Sequence, residues 1–385
     1  MALFLDVYPL SVPATNAALE FIFKSTHDHD GDGIWRPHES PLIRRLIELF
    51  TKRGLDRLEH VKDQILAWQS GEHYKEAPHP VPKPGMMERW SLAELDLVKL
   101  YLESLFPGDW TLDDHMMAVD YVVQRYLPAD ELKTEAEWLA TRAGLMGKVQ
   151  ANLEAAAVAA MSGKVADKIL AALPSTVGGA MAQFNISAHE KAALDFARVR
   201  CAENVRALTD SVRHKMRGAI VQHLQEQQTL APGAARQSLQ SKLVDEFGVL
   251  NRDWRRIAIT EAGEAQLQGF IAALKPGAKV KRVEQYANAC GFCRKIDGRI
   301  AEVVSADHPN KDGETMIWPG KNNVGRSASP MKRVDGKLVP REPEELYWLP
   351  SGLAHPNCRG RWVPVLEDAP GDDKAFGDFL RNLLT

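Results

Sequence analysis

Between residues 14 and 150 apolar positions recur every three or four residues, as at Leu42, Ile43, Leu46, Leu49 and Phe50, which is the spacing of an amphipathic helix. A second helical run opens at Ser91-Leu92-Ala93-Glu94, where a hydroxyl and a carboxylate three residues apart can each take one of the free amides at a helix start. Thr111-Leu112-Asp113-Asp114 opens a third in the same way, and it stops near Leu127-Pro128. Between the first two lies Ala77 to Gly85, where alternate prolines dictate a stiff, extended connector.

The stretch from Gln150 to Gly179 is alanine-rich and weakly periodic, is interrupted at Pro174 and Gly178-Gly179, and marks a boundary. Beyond it Leu194, Cys201, Val205, Leu208, Val212, Met216, Ile220 and Leu224 form one stripe on a helix of about forty residues. A shorter helix is expected from Ala234 to Phe247 with Gly248 as its C-cap, and another from Arg252 to Leu274, ahead of Pro276-Gly277. The pattern then becomes strand-like at Val280 to Tyr286, Arg299 to Val304 and Trp362 to Val365, which predicts a small antiparallel sheet. The expected fold class is mainly α: a helical N-terminal domain (1–150), a boundary segment (151–187), a C-terminal α+β domain (188–365) and a tail (366–385). Residues 305–350, rich in Gly, Pro, Asn and Lys, read as a long inserted arm.

Composition narrows the class. A chain of 385 residues with 45% apolar and 26% charged residues has room for two or three domains with real cores and is not a disordered chain. No run of about 18 apolar residues occurs, so no membrane span is expected. The opening Met-Ala-Leu-Phe-Leu-Asp lacks the basic flank and cleavage site of a secretory signal. Four cysteines without a secreted framework fit a reducing cytoplasm, and Cys201, on an apolar helix face, is expected to pack. The net charge of -3 is unevenly spread: Lys275 to Val365 carries 16 Lys and Arg against 10 Asp and Glu, an excess of +6 that leaves -9 elsewhere. Opposite the stripe of the long helix, Arg198, Arg206, Arg213, Lys215 and Arg217 form a basic face that either meets nucleic-acid phosphate or is simply solvated.

Two constellations carry candidate chemistry. Cys290-Gly291-Phe292-Cys293 and His355-Pro356-Asn357-Cys358 each place two soft or borderline donors on a tight turn. Together Cys290, Cys293, His355 and Cys358 would close a tetrahedron around zinc with no open position, the mark of a structural site. A redox pair or unligated thiols are the alternatives, although a redox pair leaves His355 and Cys358 without a role. Near the start, Asp28-His29-Asp30-Gly31-Asp32-Gly33-Ile34-Trp35-Arg36-Pro37-His38-Glu39 matches the twelve-residue calcium loop. Asp28, Asp30, Asp32, Ile34 and Glu39 would be its ligands, against an acidic loop that only caps the next helix; Pro37 and Trp35 depart from the formula.

The order of motifs across Ala188 to Val365 resembles the C-terminal domain of phage Mu F-like head morphogenesis proteins, which are minor capsid proteins of tailed bacteriophages. The residues that carry it are Arg256-Ile257-Ala258-Ile259-Thr260-Glu261, Cys290-x-x-Cys293, Asp297-Gly298, and His355-Pro356-Asn357-Cys358-Arg359 followed by Val363-Pro364-Val365. The resemblance implies a virion component assembled in the host bacterial cytoplasm. It would act with the portal protein and the major capsid or scaffold protein in head assembly, beside packaged DNA. By position it makes Cys290, Cys293, His355 and Cys358 metal ligands and places Arg256, Thr260 and Glu261 in a signature helix. A nuclease-like or toxin-like effector is the competing expectation, but the chain lacks the nucleophile-elbow, HExxH and phosphate-loop motifs, so no enzymatic activity is expected.

Overall fold

Both expected capping boxes form. Ser91 and Glu94 cap α2 (Leu92–Glu103), Thr111 and Asp114 cap α3 (Leu112–Tyr126), and each reciprocates backbone and side-chain bonds. The computed structural model describes residues 41–153, 161–227, 232–284, 289–365 and 374–384. The calcium-loop motif, Asp28 to Glu39, lies outside the described residues. The other helices are α1 (Pro41–Ser70), α4 (Ala129–Asn152), α5 (Gly163–Ala172), α6 (Val177–Gln183), α7 (Ala188–Gln227), α8 (Pro232–Ala273), α9 (Gly291–Ile296) and α10 (Lys374–Leu384). The protein is mainly helical with a small sheet region towards its C-terminal end.

Several expectations change. The predicted break at Gly248 is absent: α8 runs unbroken for 42 residues. The buried positions Leu239, Leu243, Phe247, Leu250, Trp254 and Ile257 keep the three-and-four spacing straight across the glycine, so packing outweighs its weak propensity. Gly178 and Gly179 likewise lie inside α6, capped by Thr176. Residues 374–384, expected as tail, form an amphipathic helix that buries Phe376 and Leu380, with Phe376 edge-on to Phe184.

The chain clusters into two compact units that cut across the expected serial division. Among the described residues, one comprises those of 41–50, 135–204 and 256–384; the other comprises those of 51–134 and 205–255. Their boundaries fall inside α1, α4, α7 and α8, so each of these helices contributes residues to both units. In the second unit the proline-rich connector has no regular structure and is tied down by Lys83, 2.8 Å from Asp114. In the first, α4 and α8 meet at two glycines: a Cβ on Gly269 would lie 2.1 Å from the Gly144 carbonyl oxygen, so any larger residue would force the backbones apart.

The sheet of the first unit has the order β3 (Met316–Ile317), β2 (Ile300–Val303), β1 (Lys279–Val283), β6 (Arg361–Pro364). β1 pairs antiparallel with β2 and β6, but β2 pairs parallel with β3, so the sheet is mixed where an antiparallel one was expected. Its inward positions, Val280, Arg282, Ala301, Val303 and Trp362, are buried. The apolar members join Leu267, Phe270 and Ile271 of α8 in one core that also contains Cys290, Cys293 and Cys358.

The insertion is only partly an arm. Its hairpin, β4 (Met331–Val334) and β5 (Lys337–Pro340), is largely exposed. The remainder is built inward around Lys321, whose Nζ donates to the Gly313 and Met316 carbonyls at 2.7 Å each. The ammonium sits 4.7 Å and 4.9 Å from the ring centres of Trp318 and Trp348, and Arg326 covers the Trp348 ring. Asn323 Nδ2 donates to the carbonyls of Trp348 and Ala354 and so ties the insertion to the loop before His355.

Burial lowers the Lys321 pKa from 10.5 to about 7. Between those values the unfolded chain binds the extra proton, so this group makes stability rise as pH increases from about 7 towards 10.5. Lys321→Met is therefore expected to flatten that rise relative to the parent chain, measured by urea denaturation at a pH below 7 and again near 10.

Candidate metal centre

The two donor halves are presented by unlike elements. Cys290 is the N-cap of α9, and its Sγ accepts from the Cys293 amide at 3.4 Å, so Cys-x-x-Cys is a helix start whose free amides favour a thiolate. The second half lies in a loop that turns at Asn357, whose φ of 60° falls in the left-handed region that asparagine tolerates. Cys358 N closes the turn on the His355 carbonyl at 3.1 Å. His355 Nδ1 lies 2.8 Å from the Pro356 carbonyl, which places the proton on Nδ1 and leaves Nε2 for the thiols.

These elements bring the four predicted ligands together. His355 Nε2 is 3.3 Å from Cys290 Sγ and 3.2 Å from Cys293 Sγ, and Cys293 Sγ is 3.9 Å from Cys358 Sγ. Zinc bond lengths in a tetrahedron give edges of about 3.8 Å between sulfurs and about 3.6 Å between sulfur and nitrogen. All four residues are buried, and none of the cysteines is in a disulfide. The cluster is compatible with a metal such as zinc.

Electrostatics within the cluster point the same way. The bond from Cys293, with His355 in support, brings the Cys290 thiol down to about 3. Burial opposes ionisation of Cys358, but Cys293, His355 and Arg282 together carry it well below the usual thiol range. Cys293, bonded to both other sulfurs, is pushed up and keeps its proton. His355 is raised to about 9 because Cys290 and the charge of Cys358 outweigh its burial. Two thiolates beside an imidazolium and one thiol leave two protons that a divalent metal would displace on binding.

Sequence reasoning missed a second layer. Glu284 has a carboxylate oxygen 3.6 Å from Cys358 Sγ, and burial raises its pKa to about 7. Arg282, fully buried, donates from Nε to Glu284 at 2.7 Å and from Nη1 to the Gly352 carbonyl at 2.9 Å. Behind the loop stands a polar line on α8: Thr260, Glu264 and Gln268, at intervals of four, with Glu261 beside them. Thr260 Oγ1 accepts from Asn357 N at 3.2 Å, Glu264 from Leu353 N at 2.7 Å, and Gln268 from Gly320 N at 2.7 Å. Glu261 accepts from Asn204 at 2.9 Å and lies 3.1 Å from Arg200. Arg256, named with Thr260 and Glu261 in the signature, is buried on the same helix. The missed signal is the i, i+4, i+8 run of polar residues among the buried apolar residues Ile257, Ala258, Ile259, Ala262, Ala265 and Leu267 of α8.

The basic face on α7 is largely engaged within the protein. Arg213 and Arg217 both grip the buried Asp120 carboxylate, Lys215 pairs with Glu246 at 3.0 Å, and Arg198 pairs with Asp195 at 3.3 Å. Arg206 is exposed. Cations already matched by carboxylates have little charge to offer phosphate, which counts against the phosphate-binding alternative for this face.

In comparisons with family models, curated proteins and solved structures, nothing matched the chain.

Glu264→Ala would strand the Leu353 amide and leave Arg200, whose Nη1 is 3.5 Å from the Glu264 carboxylate, paired with Glu261. The expected cost is about 1–3 kcal/mol, that of one buried amide left without its acceptor. Chemical denaturation measures it, together with faster hydrogen exchange at the Leu353 amide.

Proposed function

We propose that this chain is a minor capsid protein of the phage Mu F-like head morphogenesis type, a structural component of the virion without catalytic activity. The observation that supports the reading is the convergence of the resembling residues. Thr260 of the signature helix bonds the Asn357 amide inside His355-Pro356-Asn357-Cys358, and that element meets Cys290-x-x-Cys293 at hydrogen-bond distance. Residues scattered over about a hundred positions thus serve one centre. Among the described residues no helix is long and apolar enough to cross a membrane.

The bound metal is zinc in a closed Cys3His set, and its role is folding energy, on the order of 10 kcal/mol in small modules. It fixes the loop, the insertion and the sheet in one geometry. The chain works with the portal protein and the major capsid or scaffold protein, and its α7 arginines, paired with Asp120, leave little charge for a DNA contact. Calcium at Asp28 to Glu39 would fix a local loop.

Mass spectrometry of purified procapsids and mature virions is expected to find the chain at a few to a few dozen copies per particle. Absence from both particles would overturn the assembly role and bring the effector reading forward. For the metal, the purified chain is expected to hold one zinc, and Cys358→Ser to lose it while residues 279–365 become selectively protease-sensitive. Unchanged zinc content and unchanged cleavage would refute the ligand set.

A further inference from the structure

The donors around Cys293 form two trios: Cys290, Cys293 and His355 in one, and Glu284, Cys293 and Cys358 in the other. A metal held by the first trio needs one more donor, and two are at hand side by side. Cys358 Sγ and the Glu284 carboxylate are 3.6 Å apart, and zinc accepts either donor.

Arg282 faces both. Its Nε donates to Glu284 Oε1 at 2.7 Å, and its Nη2 lies 3.7 Å from Cys358 Sγ. The guanidinium cannot wander, because Nη1 is fixed on the Gly352 carbonyl at 2.9 Å and the group lies 5.4 Å from the Trp362 ring centre. Gly360 leaves room for the carboxylate: a Cβ there would be 2.1 Å from Glu284 Oε1. Arg282 is fully buried, so its one positive charge acts on the two groups beside it, the Glu284 carboxylate and the Cys358 sulfur.

We infer that Arg282 selects Cys358 over Glu284 as the fourth ligand, by holding the Glu284 carboxylate in an ion pair while its Nη2 faces the Cys358 sulfur. Arg282 is thus a positioning residue. The inference rests on the metal reading of the preceding subsection.

Cobalt(II) loading of the full chain tests it, because thiolate-to-cobalt charge-transfer absorption reports the number of sulfur ligands. The parent chain and Glu284→Gln should both bind one cobalt with three-thiolate intensity. Arg282→Met should lose about a third of that intensity as Glu284 replaces Cys358, with affinity about 10–100-fold weaker in chelator competition. The double variant Arg282→Met/Glu284→Gln should regain the intensity, since the competing carboxylate is gone. A purely structural role for Arg282 would not produce that recovery. Three-thiolate intensity in Arg282→Met, or a double variant that stays low, overturns the inference.

Should Arg282→Met fail to fold, Arg282→Lys carries the same comparison, because an ammonium keeps the charge but cannot bridge Glu284 and Gly352 together. A loss of intensity that Glu284→Gln restores then supports the inference, and unchanged intensity overturns it. If the parent chain takes up no cobalt, the metal reading fails first and the inference with it.

Discussion

Closing a loop of 62 residues, from Cys293 to His355, is the constraint on which the C-terminal half depends. Loop-closure entropy grows as the logarithm of length, so bringing these ends together costs on the order of 4 kcal/mol beyond the constant for any closure. Three donor–acceptor contacts among thiols and an imidazole do not offset that by themselves in water. The structure therefore shortens the effective loop at several places. β3 pairs with β2, Lys321 gathers two carbonyls and two indoles, and Asn323 ties the insertion to Ala354. By the time the chain reaches His355 it has been returned to the sheet in steps, and α8 receives it with a line of acceptors.

That line explains why a helix otherwise given to packing carries Thr260, Glu264 and Gln268 in its buried face. An irregular loop has amides without strand or helix partners, and burying them unpaired would cost free energy at each one. A regular helix displays its polar side chains at fixed intervals, so it can serve a loop that cannot serve itself. Glu264 also takes charge from Arg200, so the carboxylate is matched from both sides. The sheet contributes in kind: β1 alternates exposed lysines with buried positions, and Arg282 takes the inward slot where an aliphatic residue would ordinarily lie.

Much of this was legible in the sequence, and what was not has identifiable causes. The capping boxes at Ser91 and Thr111 were readable because every contact they need lies within four residues. The long stripe of α7 and the four donors were readable because periodicity and ligand type are local properties. Gly248 misled because a glycine marks a helix end only when the apolar face ends with it, and here Leu250 and Trp254 continue the face. The insertion looked like an arm because its composition is that of loops, whereas Lys321 is buried by rings and carbonyls that no composition reveals. Arg282 and Glu284 were invisible for a related reason. Arg282 in a short basic strand and Glu284 just past its end look like surface, and only the fold sets their side chains beside Cys358.

The order of the donors along the chain also bears on how the protein is made. Cys290 is followed by Cys293, which leaves the ribosome 65 residues before Cys358 completes the set. At about 5–20 residues per second that interval is roughly 3 to 13 s. During it a pair of thiols waits on a nascent helix start with neither imidazole nor third sulfur, and β1 lacks β6, its last neighbour. The centre is thus a late event in vectorial synthesis. In that interval, reductants and metal-buffering ligands in the surrounding cytoplasm compete for the exposed pair before the protein can shield it.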